Sequence, residues 1–89
     1  MKTFKGLNFE TRDDAFGGKS ARLFFSNNYG ASVITGGGAY ASSSTYELAV
    51  LEGTADDWSL TYDTPITDDV IGHQSPRQIT ALLKRIQKL

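Results

Sequence analysis

Cysteine is absent from this 89-residue chain, histidine occurs once and proline twice. Without cysteine the chain cannot form a disulfide, a thiolate nucleophile or a cysteine-based zinc site, and this composition fits an intracellular protein. Long apolar runs are also missing. Residues 1–14 lack the apolar core of a secretory signal peptide, and no segment approaches the roughly 18 to 20 apolar residues that cross a bilayer. We therefore expect a single domain over residues 1–89, with no membrane contact.

Basic residues are missing from the middle of the chain. Residues 23–74 contain seven acids and no lysine or arginine, a formal charge of −7. Residues 1–22 carry five basic and three acidic groups (+2), and residues 75–89 carry four basic groups and no acid (+4), which gives the net −1. Such asymmetry concerns surface fields and partners rather than fold. A generic nucleic-acid binder is basic overall, so the composition argues against direct contact with nucleic acid.

The clearest predicted element is a C-terminal helix over residues 76–88. Ser75 and Gln78 have the S-x-x-Q spacing of a capping box, and Pro76 occupies the first helical position. Apolar residues then recur at helical spacing, which predicts one buried stripe: Ile79, Leu82, Leu83, Ile86 and Leu89. The opposite face is basic, so we expect the helix to cover one face of a sheet and to expose its cations to solvent.

The preceding residues predict that sheet. Segments 21–26, 31–35, 45–51 and 58–63 have strand character, and the run from Asn27 to Gly30 suits a hairpin turn. Residues 7–11 predict a short additional strand, and residues 64–74 an acidic loop. The expected fold class is therefore α+β, a four- to five-stranded antiparallel meander with one C-terminal helix packed on one face.

Residue alternation along the strands predicts two apolar sheet faces of unequal size. We expect the helix to cover the larger one: Leu23, Phe25, Val33, Leu48, Val50, Trp58 and Leu60. Phe24, Ile34 and Leu51 then point away from the helix. Either the N-terminal segment with its phenylalanines covers this second face, or the face is exposed to a partner or a second subunit. Cover by the N-terminal segment is the preferred interpretation.

No residue pattern predicts catalysis, a cofactor or a bound metal. The GGKS run at 17–20 lacks the first glycine of a phosphate-binding loop, because that position is Asp13. His73 is the sole histidine, so a multi-histidine site is excluded, and a loop histidine near the helix start is expected. Asp63, Asp68 and Asp69 lack the ligand spacing and the glycine of a calcium loop. The chain is expected not to be an enzyme.

The remaining prediction is a binding surface. Five acids flank the two ends of the last predicted strand and are expected to form an acidic patch: Asp56, Asp57, Asp63, Asp68 and Asp69. Three tyrosines could serve as aromatic anchors for a partner: Tyr29, Tyr40 and Tyr62. An acidic surface with aromatic anchors suits docking to a basic protein groove, and ordinary solubility explains the acids equally well.

Several runs resemble a group of small bacteriophage and prophage proteins of poorly defined function. The resemblance is carried by FSNNYGASV, YELAVLEG and YDTPITDDVIG followed by a capped helix, within residues 20–89. It implies a non-enzymatic protein in the cytoplasm of a bacterial host that binds and inhibits a host or defence complex, such as a CRISPR effector. The resemblance assigns no functional residue to this chain.

Two other functions stay open at this point. One is a nucleic-acid-binding accessory protein that uses the basic helix face and the N-terminus. The other is a structural or assembly component that dimerises through the second sheet face.

Overall fold

A computed structural model of the chain describes residues 2–11, 18–36, 45–66 and 71–89. Within these residues, the elements in chain order are a 3-10 turn at Phe4–Gly6, six strands and one helix. The strands are β1 (Glu10–Thr11), β2 (Lys19–Phe24), β3 (Tyr29–Thr35), β4 (Tyr46–Thr54), β5 (Asp57–Leu60) and β6 (Ile71–Gln74), and the helix is α1 (Pro76–Gln87). The expected fold class, an antiparallel sheet with one C-terminal helix packed on it, is confirmed.

Strand β4 organises the sheet because it is long enough to pair with three neighbours. Strands β1 to β5 lie side by side in chain order, and every pair is antiparallel. Strand β6 returns to pair with the first half of β4, next to the position where β5 pairs with its second half. One edge of β4 is therefore shared by two short strands.

The core lies between α1 and the sheet. Four helix residues are buried there (Ile79, Leu82, Leu83 and Ile86), and they meet Ala31, Val33, Leu48 and Val50 of the central strands. The helix begins as the sequence predicts. Gln78 N–H donates to Ser75 Oγ at 3.2 Å and Ser75 N–H donates to Gln78 Oε1 at 2.7 Å, which completes the capping box.

The β2–β3 turn fixes the other end of the helix. Asn28 adopts a positive φ of 66°, a conformation that asparagine tolerates in hairpin turns. The Asn27 side chain accepts a hydrogen bond from Tyr29 N–H and donates one from Nδ2 to the Ile86 carbonyl at 2.9 Å. That carbonyl lies in the last turn of the helix, where carbonyl groups have no N–H donor within the helix. The single residue Asn27 therefore stabilises both the hairpin and the end of the helix.

The N-terminal segment lies on the helix side of the sheet. Phe4 and Phe9 pack with Tyr46, with ring centroids 5.0 to 5.8 Å apart, and Leu7 is buried in the core. The preferred interpretation that the N-terminal phenylalanines cover the second sheet face is therefore wrong for Phe4 and Phe9. Phe16 lies outside the described residues.

The structure corrects three further predictions. Residues 71–74 form β6 rather than the end of an acidic loop, and the last long strand ends at Leu60 rather than at residue 63. Trp58 and Leu60 lie on the face opposite the helix, because the two-residue turn between Thr54 and Asp57 sets Leu60 opposite Leu51 and Trp58 opposite Gly53. Turn length fixes hairpin register, and a shift of one residue exchanges the faces.

Within the residues that the structure describes, no helix has the length and apolar character required to span a bilayer.

Candidate functional site

The sheet face opposite α1, here called the open face, carries an exposed apolar cluster. Strand register assigns to this face the even-numbered residues of β2, β3 and β5 and the odd-numbered residues of β4. A groove of about 400 Å³ runs across it. The groove is lined by residues of four strands: Ser20, Arg22, Ser32, Ile34, Glu47, Ala49, Trp58 and Leu60.

Trp58 is the most prominent side chain of the open face. Its ring lies 5.0 Å from the Arg22 guanidinium carbon, a cation–π distance, and its centroid lies 6.4 Å from that of Phe24. Trp58 still exposes 36% of its surface and Leu60 exposes 49%, whereas Leu51 on the same face is fully buried. The aromatic and aliphatic groups thus form a thin second layer over Leu51, with its outer side open to solvent.

Two glycines allow this layer to lie close to the sheet. A Cβ at Gly30 would come 2.5 Å from the Leu23 carbonyl oxygen and 2.8 Å from Phe24 Cδ1. Gly53 has a φ of +125°, and a Cβ there would lie 2.2 Å from the Asp57 carbonyl oxygen. Glycine in a strand commonly marks such a close approach of backbone or side chain. Further along the face, Ser32 and Ala49 are small and form the floor of the groove.

The acidic residues divide between two places. Asp56 lies in the β4–β5 turn and Asp57 begins β5, so both exposed carboxylates directly precede Trp58. Asp63 is exposed beyond the other end of β5. It follows Asp57 by six residues, so the two can be up to about 20 Å apart in extended chain. Asp68 and Asp69 lie outside the described residues. Asp56 therefore lies in the turn at one end of the open face, whereas Asp57 is odd-numbered in β5 and belongs to the helix side of the strand. Asp63 is separate from both.

The three tyrosines differ in environment. Tyr29 is half-buried and packs against the core. Tyr62 follows β5 and exposes 43% of its surface. Tyr40 lies outside the described residues. Among the predicted anchors that the structure describes, Tyr62 is therefore the one with a large exposed surface.

Sequence reasoning placed Ile34 on the second sheet face, which it offered as a possible exposed patch, but it missed most of the residues that line the groove. It placed Trp58 and Leu60 against the helix and assigned no role to Arg22, Ser32 or Ala49. No clear sequence signal marks the two-residue β4–β5 loop, because its residues, Ala55 and Asp56, lack the Asn-Gly or Gly-first pattern of such loops. With that loop, Trp58 and Leu60 share a face with Leu51.

No group of three or more histidine, aspartate or glutamate residues that could hold a metal ion occurs among the described residues. His73 is exposed in β6, where it adopts a positive φ of 58° beside the irregularity in the β4–β6 pairing. The groove itself combines apolar groups with one cationic and one anionic side chain, Arg22 and Glu47, which is a composition for binding.

Comparison of the chain with protein-family models, with curated proteins and with solved structures finds no match.

Proposed function

We propose that this chain is a non-enzymatic binding protein that docks a protein partner on its open face. The observation that carries the proposal is the exposure of Trp58 and Leu60 on the side of the sheet away from α1. A helix covers one face of an antiparallel sheet in this fold, and the uncovered face is normally polar. A tryptophan over a small-residue groove instead suits a binding hot spot, because tryptophan is enriched among the residues that dominate interface energy.

The chemistry of the open face defines the partner. An apolar side chain of the partner would enter the groove over Ser32 and Ala49, beside Trp58. A lysine or arginine next to it would meet Asp56, which is exposed in the turn at the same end of the face as Trp58, and Asp57 on the helix side of β5 would add to the local negative field. The partner surface is therefore an apolar patch bordered by positive charge, and the acidic pair would mainly accelerate association.

The resemblance to small phage proteins gives this surface a biological context. In that context the partner is a bacterial host or defence complex, such as a CRISPR effector, and the chain acts as its inhibitor. The basic grooves of complexes that hold nucleic acid have the positive charge that Asp56 and Asp57 would meet. Occupation of such a groove by this chain would exclude the natural substrate.

The direct experiment is capture of the partner from a bacterial lysate, followed by affinity measurement with variants of the open face. Trp58→Ser and Leu60→Ser should each weaken binding, and loss of a tryptophan hot spot worth about 2 kcal/mol raises Kd about 30-fold. Lys84→Ser is the control, because Lys84 is exposed on α1, on the side of the sheet opposite the groove. It should leave Kd unchanged.

Two results would contradict the proposal. Binding that survives both open-face substitutions, in variants whose circular dichroism matches that of the wild type, would locate the partner elsewhere. A dimer at micromolar concentration that dissociates in Trp58→Ser would assign the open face to a second copy of this chain instead.

A further inference from the structure

A second surface, distinct from the open face, is formed by the outer side of α1 and the N-terminal segment beside it. Four of its cations project from the helix (Arg77, Lys84, Arg85 and Lys88), and Lys2 and Lys5 come from the N-terminal segment. All six are exposed. We call these six residues the basic face. It lies on the opposite side of the sheet from Trp58.

Hydrogen bonds hold the N-terminal segment along the helix. The Gln87 side chain pairs with the Lys2 backbone twice: Lys2 N–H donates to Gln87 Oε1 at 3.0 Å, and Gln87 Nε2 donates to the Lys2 carbonyl at 2.8 Å. Two residues later, at the start of the 3-10 turn, Phe4 N–H donates to Thr80 Oγ1 at 3.1 Å. Lys2 and Lys5 are thereby fixed beside the helical cations, an arrangement that the separate charge counts of the two chain ends do not reveal.

The two segments that form this surface contain no acid. Neither residues 2–9 nor residues 75–89 contain an aspartate or glutamate. The exposed acids that the structure describes lie in strands β1, β4 and β5, in the β4–β5 turn and in the loop after β5: Glu10, Glu52, Asp56, Asp57 and Asp63. That loop contacts the helix, since Arg85 Nη2 donates to the Pro65 carbonyl at 3.3 Å. A net charge of −1 for the whole chain therefore coexists with a charge of +6 on these two segments, and local fields rather than net charge attract a ligand to a surface.

We propose that the basic face binds the phosphate backbone of duplex nucleic acid. A group of six lysine and arginine side chains suits contacts with phosphate groups, which depend on charge and carry no sequence information. From Arg77 to Lys88 the helix spans about 17 Å, since it rises about 1.5 Å per residue. That length corresponds to about five phosphates of one strand at about 3.4 Å spacing along the duplex axis.

The composition of the basic face argues against the other anionic partners. A protein interface needs a desolvated apolar centre and is depleted in lysine. On α1 the exposed residues between the first and last cation, other than cations, are Gln78 and Ala81, so this side of the helix has no large apolar group at its centre. A single-stranded nucleic acid would need aromatic platforms for its bases. The aromatic side chains of the N-terminal segment, Phe4 and Phe9, are instead packed against Tyr46.

The experiment is titration of a labelled 20-base-pair duplex with the purified chain at several salt concentrations, with fluorescence anisotropy as the readout. The wild type should bind with a strong salt dependence, and five phosphate contacts predict a slope of log K against log salt of about −4.5. Lys84→Gln combined with Lys88→Gln should reduce the magnitude of that slope by about 1.8. These exposed substitutions leave the core unchanged, so the variant should keep the wild-type melting temperature.

A matched pair of arginine variants provides the control. Arg77→Gln removes one cation from the basic face and should reduce the slope by about 0.9. Arg22→Gln removes one cation from the open face and should leave the slope unchanged. The two variants have the same net charge, so the comparison separates a defined phosphate surface from a general effect of charge.

Four results would overturn the proposal. They are undetectable binding at 50 mM salt, equal slopes for the Arg77 and Arg22 variants, tighter binding to a single strand of the same length, and equally tight binding of polyglutamate. The last result would indicate an acidic protein as the partner of the basic face.

Discussion

The assignment of each sheet face can be tested with one pair of identical substitutions. Leu83 and Leu60 face opposite sides of the molecule: Leu83 is fully buried between α1 and the sheet, and Leu60 exposes 49% of its surface on the open face. Leu83→Ala removes buried atoms and leaves a cavity, so it should cost about 2–5 kcal/mol. Leu60 buries only about half of a side chain whose complete burial contributes about 1.5–3 kcal/mol, so Leu60→Ala should cost about 1 kcal/mol.

Urea denaturation followed by circular dichroism measures both costs. For a domain of this size, 1 kcal/mol corresponds to about 4–8 °C in melting temperature, so thermal melts should separate the two variants clearly. An unchanged m-value would show that each substitution changes stability rather than the extent of unfolding. If Leu60→Ala cost as much as Leu83→Ala, Leu60 would have to lie in a covered core. The open face would then not exist in solution.

Two further substitutions test the interactions that set the start of the helix and the register of β5. Ser75→Ala removes the acceptor of the Gln78 N–H and should lower the free energy of unfolding by about 0.5–2 kcal/mol, less than Leu83→Ala in the same denaturant assay. The reverse ranking would contradict the burial of the helix stripe. Gly53→Ala forces a side chain into a positive-φ position against the Asp57 carbonyl and should cost about 1–3 kcal/mol, and a neutral effect would refute the tight β4–β5 turn.

The helix and the first hairpin are predictable because their signals are local. The capping box, the proline at the first helical position and the apolar stripe all lie within residues 75–89, and each predicts the same element. Asn28 likewise supplies the positive φ of the β2–β3 turn without help from the rest of the chain. Where local propensity and tertiary packing agree in this way, sequence patterns suffice.

Strand β6 and the open face could not be predicted in the same way, because they depend on pairing. Residues 71–74 have neither clear alternation nor a turn on each side, and they become a strand by hydrogen bonding to the first half of β4. Alternation correctly groups Trp58 with Leu60, but it cannot say which face they share. The two-residue β4–β5 turn decides which face they share. As a result Trp58 is exposed rather than buried.

The candidate site depends on features of both kinds. The acidic surface stays a prediction: Asp56 and Asp57 are exposed, and the apolar groove with Trp58 became visible only in the strand register. The contribution of the N-terminal segment to the basic face is a long-range effect, since Lys2 and Gln87 are 85 residues apart in the chain. No periodicity in the sequence links two such residues.

Trp58 is the single tryptophan of the chain, so its solvent contact tests the role of the open face directly. With 5-fluorotryptophan incorporated into this chain alone, the tryptophans of a captured partner contribute no fluorine signal. The fluorine resonance of the free protein should shift when water is replaced by heavy water, because the ring is partly exposed. In the complex with the partner, our account predicts that this solvent shift disappears. A complex that forms with the solvent shift of Trp58 unchanged would contradict docking on the open face.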